Sequence, residues 1–169
     1  PLMLYFSLSE KYRMQRIFSF LDPWADPLDT GYQIIQSLYA LGPGGLFGVG
    51  LGRSRQKLYY LPEPQNDFIF SIIGEELGFL GAVTIMLLFF VLIWRGFKTS
   101  LLAPDNFSSL LATGVTAMVA VQTLLNIGVV TGSIPVTGIN LPFISAGGSS
   151  LFFTMCSMGI LMNISRYNR

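Results

Sequence analysis

The sequence contains no histidine and only one cysteine. The absence of histidine excludes a Ser-His-Asp triad, a His-ligated metal site and a histidine general base. The single cysteine, Cys156, excludes a disulfide bond within the chain. These absences remove several common catalytic arrangements before any motif is considered.

Charged residues are also scarce, at 11% of the chain against roughly a quarter in soluble domains. No Asp, Glu, Lys or Arg occurs from Leu77 to Trp94 or from Asn106 to Ser165. The shorter run would form a helix of roughly 27 Å, close to the ~30 Å core of a bilayer. The composition therefore predicts an all-α integral membrane protein. The net charge of +1 gives no reason to expect a nucleic-acid partner.

The longer charge-free run is interrupted by Gly132, Pro135, Gly138 and Pro142, which predicts two spans joined by a hairpin. The predicted segments are the end of a membrane helix (1–9), a long loop with a short surface helix (10–72), a membrane helix (73–94), a loop (95–106), a second membrane helix (107–130), a hairpin (131–145), a third membrane helix (146–164) and a tail (165–169). The chain opens without Met or a signal-peptide pattern. We therefore expect a C-terminal fragment of a larger protein.

The basic residues indicate an orientation in the membrane. Arg95 and Lys98, which are expected to end the first complete span, lie on the same side as Arg166 and Arg169, whereas the hairpin has no basic residue. The positive-inside rule then places these four residues in the cytoplasm and the hairpin outside. Two of the three crossings separate the long loop from the hairpin, so both lie on the same face. Six basic residues in that loop would contradict the orientation if the loop were short.

Two helix starts can be predicted from local signals. In the long loop, Asp29 or Thr30 would cap a short helix that ends at Gly42. Its expected apolar stripe consists of Tyr32, Ile35, Leu38 and Tyr39. Asn106 or Ser108 would cap the second complete span.

A basic strip follows the glycine-rich segment 48–52. That segment fits neither a dinucleotide-binding nor a P-loop pattern, and we interpret it as a flexible surface segment. In an extended backbone, Arg53, Arg55 and Lys57 would point to the same side and attract a lipid headgroup or a pyrophosphate. The alternative is a basic edge that only anchors the loop at the membrane.

Three acidic residues lie near the start of the first complete span. Asp67 occupies the boundary between loop and span, where it could act as a base or as a helix N-cap. Glu75 and Glu76 could favour the positive end of the helix dipole, although carboxylates at membrane depth are costly unless they are paired. Further along, the small residues of 145–150 would let helices pack closely or line a cavity.

Two motifs resemble the signatures of the FtsW/RodA/SpoVE (SEDS) family. The first comprises GLGRSRQK at 50–57, YLPEP at 60–64, DFIF at 67–70 and GEELG at 74–78. The second comprises PVTGINLPFIS at 135–145 and GGSS at 147–150. In detail they look more like the FtsW/SpoVE branch than the RodA branch.

This resemblance implies a ten-span protein of the bacterial cytoplasmic membrane that polymerises lipid II into peptidoglycan strands during division or sporulation. The implied partners are lipid II, the lipid-linked glycan chain, membrane lipids and a class B penicillin-binding protein. The alternatives are a lipid II flippase and a scaffold that recruits the transpeptidase. No cofactor is evident, and a requirement for a divalent cation cannot be read from the sequence.

The resemblance also assigns roles to individual residues. Asp67 aligns with the aspartate that is essential in the family, although Asn66 replaces the family's usual Thr or Ser before it. The resemblance implies a role in substrate binding for Arg53, Gln56 and Lys57, and we expect Arg55, Ser149 and Ser150 to bind the substrate as well. Glycan elongation needs a base for the attacking sugar hydroxyl and cations for the departing pyrophosphate. In a chain without histidine, a carboxylate would have to be that base.

Overall fold

The computed structural model describes residues 19–27, 31–54 and 66–167. These residues include the α-helices α1 (Tyr32–Gly44), α2 (Ile69–Leu101), α3 (Asn106–Val130) and α4 (Gly148–Arg166), and a 3₁₀ turn at Pro23–Ala25. No strand occurs in the described ranges, and the all-α expectation is confirmed. The helix end predicted at 1–9 lies outside them.

Helices α2, α3 and α4 are long and apolar enough to cross a membrane. Large apolar side chains, including Leu88, Phe90 and Phe153, are exposed along their faces. Such faces are unfavourable in water but match the hydrocarbon of a bilayer. The expectation of three membrane-spanning helices is therefore confirmed.

Helix α2 differs from its predicted range of 73–94. It begins at Ile69 and continues through Arg95 and Lys98 to Leu101, so these cations do not end it. Long basic side chains can extend from a helix end towards the interface, and Lys98 in the last turn also complements the helix dipole. Charge thus marked where the apolar run ends, not where the helix ends.

Helix α3 is capped by Asp105, not by the predicted Asn106 or Ser108. The Asp105 carboxylate accepts hydrogen bonds from the N–H and the hydroxyl of Ser108, and each is 2.8 Å long. Because the cap precedes the helix, Asn106 becomes the first helical residue.

Helix α1 begins at Tyr32 with Gly31 at the N-cap position, while Asp29 and Thr30 lie outside the described residues. It runs beyond the predicted end at Gly42 to Gly44. Its buried side chains and glycine are Ile34, Ile35, Ser37, Ala40 and Gly44. Of the predicted stripe, Ile35 is buried and Tyr32 half-buried, but Leu38 and Tyr39 are exposed. The face is rotated because α1 packs through small residues, and a Cβ on Gly44 would lie 2.1 Å from the Gly74 carbonyl oxygen.

The main apolar core joins α2, α3 and the 131–145 hairpin. Its buried members are Phe68, Phe70, Ala82, Phe89, Val119, Val129, Val130 and Leu141. Phe143 of the hairpin stacks on Phe89 with ring centroids 6.4 Å apart. Its φ of +66° lies in the left-handed region, which is rarely adopted by a bulky residue. The core therefore fixes the hairpin against α2.

A backbone break divides α2 at Gly78, where φ is 70° and ψ is −167°. Residues 69–77 form a short upper part, and residues 79–101 form a lower part roughly 34 Å long at ~1.5 Å per residue. The lower part alone is long enough to cross the ~30 Å core of a bilayer.

Candidate active site

The glycine-rich segment after α1 docks into the break in α2. Four backbone hydrogen bonds of 2.8–3.2 Å connect them. The N–H groups of Phe79 and Leu80 donate to the carbonyls of Gly45 and Leu46, and those of Val49 and Gly50 donate to the carbonyls of Glu75 and Glu76. The segment thereby satisfies polar groups that the broken helix leaves without their usual partners.

Glycine is required at this contact because the two backbones approach closely. A Cβ on Gly48 would lie 2.1 Å from the Glu76 carbonyl oxygen, and one on Gly78 would lie 2.3 Å from the Gly48 nitrogen. The interpretation of the segment 48–52 as flexible is therefore wrong for residues 48–50. A signal was present in the sequence, since Gly44 and Gly48 have the same four-residue spacing as Gly74 and Gly78.

A buried side-chain hydrogen bond fixes the next part of the loop. The Ser54 hydroxyl donates a hydrogen bond of 2.5 Å to Glu75 Oε2. Both residues are buried, with Ser54 1% and Glu75 3% exposed. Glu75 is thus a hydrogen-bonded anchor within α2, and its role is not limited to the helix dipole. The neighbouring Glu76 Oε1 has no hydrogen-bond partner among the described residues.

Asp67 lies in the turn of residues 66–68 directly before α2 and is half-buried. The N-cap position of α2 is occupied by Phe68, and no side chain caps the helix there. The interpretation of Asp67 as the N-cap is therefore wrong.

The 131–145 hairpin is attached to the backbone around Asp67. The Asn126 side-chain Nδ2 donates to the carbonyls of Asp67 and Ile139, at a distance of 2.8 Å from each oxygen. The Ser145 hydroxyl donates a hydrogen bond of 2.6 Å to the Asn66 carbonyl. A Cβ on Gly138 would lie 3.6 Å from Asp67 Oδ2, which places the carboxylate beside the hairpin. The structure thus brings the two sequence motifs together at Asp67.

Sequence reasoning did not identify Asn126 as part of the site. Its signal is a polar amide inside an otherwise apolar span, where such residues are costly and commonly functional. Ser145 was noted as the end of the motif at 135–145 and as the first of a run of small residues, but no partner was predicted for it.

The expected substrate-binding residues are described only in part. Arg53 is exposed, and its Cδ would lie 3.5 Å from a Cβ on Gly50, so its side chain passes over the docked glycine segment. Arg55, Gln56 and Lys57 lie outside the described residues, so their expected alignment with Arg53 stays a prediction.

Ser149 and Ser150 lie in the first turn of α4, the former exposed and the latter half-buried. Within residues 19–27, 31–54 and 66–167, no group of three or more Cys, Asp or Glu side chains is placed to hold a metal ion.

The sequence profile of the cell cycle proteins FtsW, RodA and SpoVE matches residues 1–169. The chain belongs to the FtsW/RodA/SpoVE family. Stage V sporulation protein E of Bacillus subtilis is 62% identical over 162 residues, which cover 96% of this chain and 44% of that protein. A probable peptidoglycan glycosyltransferase FtsW from Geobacter sp. strain M18 is 50% identical, over 98% of this chain and 45% of that protein. The resemblance to the FtsW/SpoVE branch is confirmed.

Two solved structures of the family share the fold. One, described as the structural coordination of polymerization and crosslinking by a peptidoglycan synthase complex, matches with a TM-score of 0.75 and 32% identity over 92% of this chain and 42% of that one. The other is a mutant of the rod shape determining protein RodA from Thermus thermophilus, with a TM-score of 0.60 and 34% identity over 79% of this chain and 41% of that one. The FtsW/RodA/SpoVE chain described here spans less than half the length of these relatives.

Proposed function

We propose that this chain is part of a peptidoglycan glycosyltransferase that polymerises lipid II into glycan strands in the bacterial cytoplasmic membrane, during division or sporulation. Relatives at 47–50% identity are named as probable peptidoglycan glycosyltransferases, and the relative at 62% is a sporulation protein. The observation that carries the proposal is the placement of Asp67. Its half-buried carboxylate lies at the head of a membrane span, beside a hairpin that belongs to the second family motif.

In the proposed reaction, Asp67 accepts the proton of a sugar hydroxyl, the 4-hydroxyl of an N-acetylglucosamine. The hydroxyl oxygen attacks the anomeric carbon of the other substrate, and the bond from that carbon to the lipid pyrophosphate breaks. The pyrophosphate leaves with the electron pair. An alcohol is too weak an acid to ionise unaided, so a positioned base contributes about 10²–10⁴-fold.

The cations would bind the leaving pyrophosphate. Arg53 is exposed above the docked glycine segment, where a lipid-linked anion at the membrane surface can reach it. We propose that Arg55, Gln56 and Lys57 continue this surface, and that Ser149 and Ser150 bind the substrate from the start of α4. In this arrangement the long loop and the hairpin face the outside of the cell.

A class B penicillin-binding protein is the proposed partner. Support comes from the solved relative that is described as a peptidoglycan synthase complex coordinating polymerization and crosslinking. A glycosyltransferase that supplies strands to a transpeptidase accounts for both halves of that description.

The test is Asp67→Asn in the full-length protein, assayed for glycan-strand synthesis from purified lipid II. Asparagine keeps the shape of the side chain and removes its basicity, so we expect a loss of about 10²–10⁴-fold with near-normal expression and lipid II binding. Asp105→Asn serves as the matched control, because Asp105 lies in the turn between α2 and α3, at the other end of α2 from Asp67.

The outcomes separate the three functions. Strand synthesis at the parental rate by the Asp67→Asn protein would remove Asp67 from the mechanism. If the parent protein translocates lipid II but does not polymerise it, the function is that of a flippase. A full-length protein without either activity that restores cross-linking by its partner would identify a scaffold.

A further inference from the structure

Asn126 is a buried amide near the C-terminal end of the apolar membrane helix α3. The side chain is 1% exposed, and its Nδ2 donates to two main-chain carbonyls outside its own helix. Its Oδ1 is buried without a hydrogen-bond partner among the described residues. Burial of an amide with one unpaired acceptor is costly. The compensating contacts are the two hydrogen bonds, which join the Asp67 peptide to Ile139 of the hairpin.

Ser145 makes the neighbouring connection. Its buried hydroxyl donates to the Asn66 carbonyl and accepts a hydrogen bond of 2.7 Å from the Leu141 N–H. Asn126 and Ser145 therefore hold two consecutive carbonyls, those of Asn66 and Asp67. We refer to these two residues as the Asn126–Ser145 clamp.

The clamp acts on the turn that directly precedes α2. Asn66 and Asp67 lie in the turn before the first helical residue, Ile69, so their carbonyls are fixed from outside the helix. The torsions of this turn set the direction of the Asp67 carboxylate. A misplacement of about 1 Å can cost on the order of 10²-fold in rate.

We propose that Asn126 and Ser145 are positioning residues, which hold the Asp67 carboxylate in its reactive orientation beside the hairpin. The inference rests on the proposed role of Asp67 as the base. It assigns to two polar residues, neither of which is required for crossing the membrane, a function in the orientation of the reacting group.

The experiment compares Asn126→Leu and Ser145→Ala in the full-length protein, with kcat and KM measured on purified lipid II. Thr123→Val is the matched control, because Thr123 lies about one turn earlier on α3 and is also buried. Among the described residues, it donates only to the Val119 carbonyl of its own helix. Each variant is then combined with Asp67→Asn, and thermal unfolding in detergent is followed in parallel.

We expect Asn126→Leu to lower kcat by about 10–100-fold with little change in KM, because orientation is lost and substrate contacts are kept. Ser145→Ala should lower kcat in the same way but less, and it tests the proposal even if Asn126→Leu fails to fold. Thr123→Val should remain near the parental rate. In the Asp67→Asn background neither clamp variant should reduce the residual rate further, because residues that act through one group are not additive.

Three results would overturn the clamp. They are a parental kcat in both clamp variants, the same fold-loss of rate with and without the Asp67 carboxylate, and an equal loss in Thr123→Val at equal unfolding temperature. Failure of the proposed function would give a different result, since an Asp67→Asn protein would then keep its activity. An inactive Asp67→Asn protein together with fully active clamp variants would refute only the inference drawn here.

Discussion

Replacement of Gly78 by alanine should detach the glycine segment from α2. At φ 70° and ψ −167°, Gly78 occupies a region of backbone space that is essentially restricted to glycine. A Cβ there would lie 2.3 Å from the Gly48 nitrogen and 2.7 Å from the Leu46 carbonyl oxygen. Both neighbours are backbone atoms, which cannot rotate away as a side-chain end can. Either Gly78 changes conformation or residues 45–50 move.

The structure bounds the size of the effect. If the backbone tolerates alanine in place, the strain is about 1–3 kcal/mol. If residues 45–50 leave the break, four hydrogen bonds are lost at roughly 0.5–1.5 kcal/mol each, or about 2–6 kcal/mol. The broken helix then also leaves N–H and C=O groups without partners, so the loss should lie in the upper part of this range.

The assay is thermal unfolding of the full-length protein in detergent, combined with limited proteolysis of residues 45–54. Gly78→Ala should lower the unfolding temperature and make the segment susceptible to cleavage. Gly114→Ala in α3 is the control, because nothing lies within 4 Å of a Cβ built there. It should be neutral or slightly stabilising, since alanine favours helices by about 1 kcal/mol over glycine. Equal unfolding temperatures and equal protease resistance in the two variants would refute the reasoning.

Two further predictions concern the α3 cap and the orientation. The hydrogen bonds from the N–H and the hydroxyl of Ser108 hold the pKa of Asp105 below its ordinary value of 3.8, so the charged cap stabilises the fold above that value and loses its effect as the pH falls through the lowered pKa. The difference in unfolding temperature between the parent and Asp105→Ala should therefore be constant near neutral pH and shrink in strong acid, and a difference that grows in acid would contradict this. For orientation, single cysteines at Thr137 and Thr99, in a background that carries Cys156→Ser, should react with an impermeant reagent from outside intact cells only at Thr137. Labelling at Thr99 alone would reverse the proposed orientation.

The three membrane helices could be predicted because they depend on composition and length. Charge-free runs were long enough to cross a bilayer, and glycines and prolines marked the turn between the last two. The break at Gly78 could not be predicted in this way. Glycine is frequent in membrane helices without breaking them, and this break depends on partners in residues 45–50, which lie outside any local pattern.

The site shows the same division. The position of Asp67 at the start of a membrane span could be predicted, because the apolar run that follows it marks the boundary between loop and span, whereas its role as the base stays a prediction. The hydrogen bonds of Asn126 and Ser145 could not be predicted. Their acceptors are main-chain carbonyls 59 and 79 residues away, and a main-chain acceptor does not depend on the residue type at that position. The face of α1 was also mispredicted, because close approach of Gly44 to Gly74 decided its rotation more than side-chain hydrophobicity did.

The docked glycine segment also affects how the protein responds to bilayer thickness. Its four hydrogen bonds pair specific residues on either side of Gly78, so a slip by one residue, ~1.5 Å along the helix, would break them together. The height of Arg53 relative to the lower part of α2 is therefore set by protein contacts and not by the lipid. A helix adapts to a thinner bilayer by tilting, at a modest cost per ångström. We expect the lower part of α2 to tilt as a rod while the loop and Asp67 keep their spacing, so the geometry of the site should be insulated from changes in lipid composition.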